Sequence, residues 1–274
     1  MPKKPNSHGM QEYVPAGNGD ASGEYANEEG NNRHFTSFKK PEEKNDGLTN
    51  ETNGDTIKPD MNNEYMKEFD RVLKLDNVEY RRVEKHKSPL TEDEIINSLS
   101  GGDMTKGSCA SLALAYVGQK AGMNVLDFRD GASRSFFATR AILRKIGMLP
   151  NVITVTETAK SAVTAGNKLL RRVETGKEYF FCSGKHAAIV RNKDGVMQYL
   201  ELQSATGSGW QNFNGNPRYT LAHRFGDYRF NGHDIDAFMI EVNSLKGTDN
   251  LRYLLGYINT AKNEQRKGKY GTRK

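Results

Sequence analysis

The feature that most constrains the fold of this chain is a hairpin pattern in its C-terminal half. The dipeptide Asp194-Gly195 separates two apolar segments, residues 187–191 and 197–203. Asp-Gly is typical of the two-residue turns that join antiparallel strands. The sequence therefore predicts a β-hairpin, and with it an antiparallel sheet that buries the apolar segments.

The turn also sets which residues face each other. If Asp194 and Gly195 form the turn, continuing the pairing outward places His186 opposite Gln203, with Glu201 on the diagonal. Side chains alternate between the two faces of a strand, so His186, Glu201 and Gln203 are predicted to share one face. A bulge or a longer turn would shift this register.

The second informative segment begins at Cys109. A glycine-containing loop, residues 101–108, precedes an apolar segment, residues 109–120, whose spacing predicts a helix with Gly122 just beyond its end. The unpaired N–H groups and the dipole of a helix N-terminus favour a thiolate, so we expect a lowered pKa for a partly exposed Cys109. The other cysteine, Cys182, lies in an apolar strand and is predicted to be a core residue.

The remaining pattern places helices first and strands later. This order predicts an α+β fold with an antiparallel sheet, since parallel sheets need alternating strands and helices. Residues 65, 69, 72 and 73 predict an amphipathic helix, and Thr91 with Glu94 predicts a capping box that begins a second one. Further helices are predicted at residues 135–145, 159–174 and 251–261, and further strands at residues 125–128, 152–155, 179–182 and 237–243.

Composition suggests four regions. Residues 1–60 are rich in Gly, Asn, Asp, Glu and Ser without periodicity, and are predicted to be a low-complexity, disordered or attachment segment. Residues 61–100 form a helical lead-in and residues 101–261 the main domain. Residues 262–274 are a basic tail. A mean hydropathy of −0.77 agrees with a chain of which a sizeable part buries little.

Several function classes are disfavoured by the sequence. The net charge of +6 is spread along the chain without a basic stripe of interleaved aromatics, which argues against nucleic-acid binding. The two cysteines and six histidines show no metal-ligand spacing, so neither a metal nor another cofactor is expected. Neither a membrane-spanning apolar run of about 18 residues nor a secretory signal is recognisable, and we expect a chain that is cytoplasmic when made.

Cys109, His186, Glu201 and Gln203 together suggest nucleophilic catalysis. A histidine oriented by an acid or amide can take the proton of a thiol, and the sulfur can then attack a carbonyl carbon. Trp210, which follows a Gly-Ser-Gly stretch, is expected either to line a substrate cleft or to anchor a loop.

The order of cysteine, histidine and then acid or amide resembles the papain-like superfamily of cysteine hydrolases. The segments His-Ala-Ala-Ile-Val and Tyr-Leu-Glu-Leu-Gln around the Asp-Gly turn resemble papain-fold toxin and glutamine-deamidase domains, and the same stretch is similar to CHAP amidase and peptidase domains. The resemblance covers residues 103–210. It implies that the helix of the nucleophile packs on the sheet within a catalytic domain at 101–261, with Cys109 as nucleophile, His186 as general base, Glu201 as orienting acid and Gln203 as a second polar partner.

The chain departs from these families in places. Ser108 stands where the toxin domains usually have Asn, and Glu201 where they usually have Asp. Residues 101–108 also lack the glutamine that donates to the oxyanion in papain. The N–H of Cys109 can supply one such donor, and the second is unassigned.

The resemblance implies a cysteine-dependent hydrolase of amide bonds, either a protein glutamine deamidase or a thiol protease, with a protein or peptide as substrate. One alternative is a CHAP-type peptidoglycan amidase or endopeptidase. Another is a non-enzymatic virion-associated or attachment protein with the same fold. Residues 10–25 resemble low-complexity segments of phage head-associated proteins, which implies virion components as partners of residues 1–60 and delivery with a phage particle.

Overall fold

The computed structural model describes residues 59–100, 108–126, 131–203, 208–213, 215–229 and 232–258, together with two dipeptide strands, β1 (Tyr25–Ala26) and β2 (Asn32–Arg33). The predicted N-terminal segment lies almost wholly outside these residues, and so do the basic tail and most of the loop before Cys109.

The first two helices begin as the sequence predicts. At the first, the Asn63 side chain accepts hydrogen bonds from the backbone N–H groups of Tyr65 and Met66. At the second, Thr91 and Glu94 form the reciprocal bonds of a capping box. The helices are α1 (Glu64–Leu75), α2 (Glu92–Leu99), α3 (Ser108–Lys120), α4 (Gly131–Ala138), α5 (Arg140–Ile146), α6 (Ala162–Leu170), α7 (Pro217–Thr220), which continues into a π-helical segment (Leu221–Gly226), α8 (Val242–Lys246) and α9 (Asp249–Ile258).

The second half of the chain forms a six-stranded antiparallel sheet. Its spatial order is β3-β8-β4-β5-β6-β7, and every neighbouring pair is antiparallel. The predicted α+β class with an antiparallel sheet is thus confirmed. The strands are β3 (Thr154–Ala159), β4 (Glu178–Ser183), β5 (His186–Lys193), β6 (Val196–Glu201), β7 (Gly209–Asn212) and β8 (Ile235–Glu241).

The predicted hairpin register is confirmed where β5 and β6 pair; the predicted position of His186 opposite Gln203 lies beyond the paired residues. Strands β5 and β6 are paired from Lys193 opposite Val196 to Ile189 opposite Leu200. The two turn residues adopt positive φ angles, 53° and 81°, as the favoured tight hairpin turn requires. No bulge interrupts the paired part, so the strand alternation deduced from the sequence holds throughout it.

Both faces of the sheet are buried. In β4, Phe180 and Cys182 belong to the larger core beneath the N-terminal helices, α8 and α9. The alternate residues, Tyr179 and Phe181, belong to a second core beneath α6 and the π-helical segment. A strand covered on both sides needs apolar residues at consecutive positions, which explains the unbroken apolar run of β4.

Several predicted boundaries are wrong. The single helix expected at 135–145 is two helices, α4 and α5, because Thr139 between them is extended and its hydroxyl bonds to the Ser135 carbonyl. The helix expected at 159–174 covers only α6, whose N-terminus is capped by Ser161. The described part of the extended segment predicted at 125–128 is irregular. Strand β3 begins two residues later than predicted.

Between residues 59 and 258, three described elements were not predicted at all. They are β7, the short α8, and α7 with the π-helical segment that follows it. The last of these is the most important for the site, because it covers the face of the sheet on which His186 lies.

Candidate functional site

Cys109 lies in the first turn of α3. The helix is rich in Ala and Leu, which favour helical backbone, and from Ser108 to Gln119 every residue is buried. It packs against α2, α4, α9 and the histidine strand β5. Only 7% of the Cys109 surface is exposed. The nucleophile predicted from the sequence is therefore at a helix start, as expected, but it is buried between helix and sheet.

The thiol contacts the histidine strand through the backbone. The N–H groups of Ala187 and Ala110 donate hydrogen bonds to Cys109 Sγ. Ala187 directly follows His186 and lies beyond the paired part of the hairpin, which ends at Ile189. The helix start thus meets β5 where β5 no longer pairs with β6, one residue from the predicted base.

Burial raises the pKa of the Cys109 thiol from 9.0 to about 11, although the Ala187 N–H and the Arg224 guanidinium both act to lower it. The expected lowering of this pKa is wrong for the folded state. The helix N-terminus was expected to act on a partly exposed thiol, whereas the loss of hydration around a buried thiolate outweighs the favourable dipoles.

His186 begins β5 and is 93% buried, since only 7% of its surface is exposed. Its imidazole packs edge-on against Phe225 of the π-helical segment, with ring centroids 5.0 Å apart. Burial and then the positive charge of Arg224 hold the pKa of His186 well below 6.5. The imidazole is therefore neutral at pH 7, which is the form that accepts a proton.

The hairpin turn before His186 is fixed by the same segment. The Lys185 N–H donates to the Phe225 carbonyl over 2.7 Å. Gly184 has φ +59°, and a Cβ there would lie 2.3 Å from the carbonyl oxygens of Phe225 and Gly226. The close approach requires glycine, and it holds the histidine end of β5 against the π-helical segment.

Glu201 is 95% buried and forms a fork-like ion pair with Arg224. Arg224 Nε donates to Oε2 over 2.5 Å and Nη2 donates to Oε1 over 2.9 Å. The Gln203 N–H also donates to Oε1, over 2.8 Å. Buried carboxylates need such partners. Glu201 thus orients Arg224, whereas the sequence predicted that it would orient His186.

Gln203 connects this cluster to the start of α3. Its side-chain Nε2 donates to the Ser108 hydroxyl over 3.0 Å. The neighbouring Ser111 hydroxyl donates to the Ser108 carbonyl over 3.2 Å, so both polar groups of Ser108 are engaged. The predicted second polar partner therefore bonds beside the nucleophile, on the residue that precedes Cys109.

The contacts link the four predicted residues only through their neighbours. Cys109 accepts a hydrogen bond from Ala187, next to His186, and Gln203 bonds both to Ser108 and to Glu201. Cys109 belongs to the larger core, whereas the His186 ring packs on Phe225 of the second core, beneath the other face of the sheet. Sequence reasoning missed Arg224. Two signals were available: a glutamate predicted on a buried sheet face needs a cation, and Asn216-Pro217 is typical of a helix start shortly before Arg224.

Trp210 does not belong to this cluster. It lies on β7 beneath the Arg191 guanidinium, which is 3.6 Å from the ring centroid, and edge-on to Tyr116 at 6.4 Å. Arg191 in turn forms an ion pair with Glu92 at 3.0 Å. These contacts favour the anchoring role of Trp210 over a place in a cleft. Cys182 is buried as predicted, and its sulfur accepts a hydrogen bond from Arg140.

Within the described ranges, no group of three or more His, Cys, Asp or Glu side chains is arranged to hold a metal ion. In the same residues, none of the helices combines the length and apolar character needed to cross a bilayer.

The chain was compared with protein-family models, with curated proteins and with solved structures. No family model matches, no curated protein matches, and no solved structure matches.

Proposed function

We propose that the protein is a cysteine-dependent hydrolase of amide bonds with a papain-like arrangement, in which Cys109 is the nucleophile and His186 the general base. The observation that carries the proposal is the hydrogen bond from the Ala187 N–H to Cys109 Sγ. It links a thiol in the first turn of a helix to the residue that follows the histidine in the sequence.

The proposed reaction begins from a neutral pair. His186 takes the thiol proton as the sulfur attacks the carbonyl carbon of the amide, and the protonated imidazole then gives that proton to the leaving nitrogen. Water hydrolyses the resulting thioester and releases the free thiol. The N–H of Cys109, in the first turn of α3, is the first donor to the oxyanion. Deamidation and peptide cleavage differ only in which nitrogen leaves.

The electrostatics support general-base catalysis rather than a preformed thiolate–imidazolium pair. The pKa of Cys109 is raised, mainly by burial, and that of His186 is lowered by burial and Arg224. Both groups are therefore neutral at pH 7, and proton transfer has to accompany attack. This predicts an activity that rises with pH above neutrality instead of a plateau between two low pKa values.

The test uses the full chain and two activities. Ammonia release from protein glutamine and cleavage of a denatured protein are measured for the wild type, Cys109→Ala, His186→Ala and the matched control Cys182→Ala. We expect Cys109→Ala and His186→Ala to lose activity by at least about a hundredfold, while Cys182→Ala retains it. Activity that survives Cys109→Ala would refute the proposal. Activity only on purified peptidoglycan would instead favour the CHAP-type alternative.

A specific observation favours a second candidate, a non-catalytic protein in which the cluster is structural. Cys109 and His186 are each 7% exposed, and the pKa of each is shifted in the direction that favours its neutral form. Buried cysteines most often serve as small core residues. Under this candidate, Cys109 reacts with iodoacetamide only as fast as the whole protein unfolds, and no amide substrate is hydrolysed.

A further inference from the structure

We propose that Arg224 is the anion-binding group of the site, held by Glu201 so that its positive charge stabilises the Cys109 thiolate and the oxyanion formed from the substrate carbonyl. This inference deepens the proposed function and rests on it for the oxyanion. It identifies Arg224 as the second donor to the oxyanion, which the sequence alone did not assign. It also gives Glu201 the role of holding Arg224, in place of the predicted role of orienting His186.

The first argument is the geometry of the fork. Glu201 binds the Nε and Nη2 edge of the guanidinium, at 2.5 and 2.9 Å. A guanidinium has a further nitrogen, Nη1, with two more N–H donors. Among the residues that the structure describes, no partner of Nη1 is found, and the Arg224 side chain remains 34% exposed. The ion pair thus fixes the side chain while leaving donors for a ligand.

The second argument is position, because contacts on two sides link Arg224 to the immediate neighbours of the thiol and of the imidazole. On one side, its ion-pair partner Glu201 accepts from Gln203, whose side chain bonds to Ser108 next to Cys109. On the other side, the residue after Arg224, Phe225, packs on the His186 ring.

The third argument is electrostatic. The charge of Arg224 acts to lower the pKa of Cys109 and also contributes to the lowered pKa of His186. One cation therefore favours the thiolate and disfavours the imidazolium. This is the combination needed where the histidine must be a free base and negative charge develops on sulfur and then on oxygen.

The experiment measures anion recognition without relying on hydrolysis. Iodoacetate and iodoacetamide both alkylate a thiolate, which forms a sulfur–carbon bond as iodide leaves, but only iodoacetate is an anion. The rate of each reaction is measured at the Cys109 peptide by mass spectrometry at pH 8, and their ratio is compared among variants of the full chain. The paired variant Glu201→Gln with Arg224→Gln removes both charges, so that no buried carboxylate is left unpaired.

We expect the ratio of iodoacetate to iodoacetamide rates to fall by about tenfold in the paired variant, equivalent to about 1.4 kcal/mol of lost attraction for the anionic reagent. A change in the thiolate fraction affects both reagents equally and cancels in this ratio. Arg224→Lys, which keeps the charge, should retain much of the preference. The matched control is Arg218→Gln, which removes an equal charge from a guanidinium bonded to Thr164; we expect an unchanged ratio.

An unchanged ratio in the paired variant would overturn the inference, as would an equal loss in Arg218→Gln. Complete protection of Cys109 in the folded wild type would also overturn it, since an anion could not then reach the site. If the ratio falls as expected but no amide is hydrolysed, the proposed function is refuted while the anion site is supported.

Discussion

The turns at the two ends of strand β5 are held in different ways. At the Lys193 end, the Asp194-Gly195 turn is open, and a Cβ on Gly195 would meet nothing within 4 Å. At the His186 end, a Cβ on Gly184 would collide with two backbone carbonyls. One end of the strand is fixed by its own turn and the other by a distant part of the chain.

This difference distinguishes the turn that specifies the strand pairing from the turn that positions the site residue His186. The open turn sets the register of β5 and β6 through local backbone preference. The closed turn sets the position of His186, through the Lys185 N–H bond to Phe225 and the packing of the imidazole on that ring. Reactivity is therefore expected to respond to changes at one end of the strand only.

The largest effect should come from Gly184→Ala compared with Gly195→Ala. Both substitutions place a side chain at positive φ, which costs about 1–2 kcal/mol. Only the first also forces two backbone segments apart, so we expect its free energy of unfolding to fall by more than about 3 kcal/mol. Urea denaturation followed by circular dichroism measures both. Equal losses would show that the contact with the π-helical segment is not the constraint we describe.

The second effect compares ion pairs near the two ends. Arg224→Met leaves the buried Glu201 carboxylate without its cation, and we expect a loss of about 2–3 kcal/mol in the free energy of unfolding, below the full cost of breaking a buried pair because Arg224 is partly exposed. Lys177→Met removes pairs to Glu174 and Glu241 at the other end. Its loss should be much smaller, since exposed pairs contribute little.

Adding Glu201→Gln to Arg224→Met should restore most of the stability, because the unpaired charge is then gone. If the double variant is as unstable as Arg224→Met alone, the cost lies in lost packing of the arginine and not in the buried carboxylate.

The contrast between a locally fixed and a distantly fixed turn also explains how much the sequence could predict. Structure that depends on neighbouring residues was predicted correctly: the capping box at Thr91, the helix after Ser108 and the Asp-Gly turn. Boundaries failed where a single side chain competed with the backbone, as at Thr139. The strongly buried environment of Cys109 was missed because it depends on helices and strands packed from across the chain.

The site was predictable as a set of residues but not as a set of bonds. Strand alternation placed His186 and Glu201 on one face, and that holds. It did not indicate that the face would be covered by the π-helical segment, in which only two apolar residues, Leu221 and Phe225, stand at helical spacing. Arg224 therefore entered only with the structure, and with it the partner of Glu201.

The third effect is the pH dependence of the free energy of unfolding, which we attribute to His186. Because the pKa of His186 is lower in the folded state than its value near 6.5 in an unfolded chain, the unfolded state binds the extra proton first as pH falls. Stability is thus fully present above about pH 6.5 and declines below it, by at most about 1.4 kcal/mol per pH unit.

We expect His186→Asn to reduce this slope between pH 6.5 and 5, measured as the urea midpoint at several pH values. His233→Asn, at an exposed position, is the control and should leave the slope as in the wild type. A slope that persists in His186→Asn would mean that another group, such as a buried carboxylate, dominates acid destabilisation.

The smallest effect is expected at the open turn itself. Asp194 has φ 53°, and asparagine is equally suited to that conformation in a two-residue hairpin turn. Asp194→Asn should therefore change the free energy of unfolding by no more than about 0.5 kcal/mol. The alkylation rate of Cys109 should be unchanged, since the paired strands between this turn and Ile189 lie between the substitution and the thiol. A changed alkylation rate at unchanged stability would show that the two ends of β5 are coupled. The Asp194-Gly195 turn would then affect the site as well as the strand register.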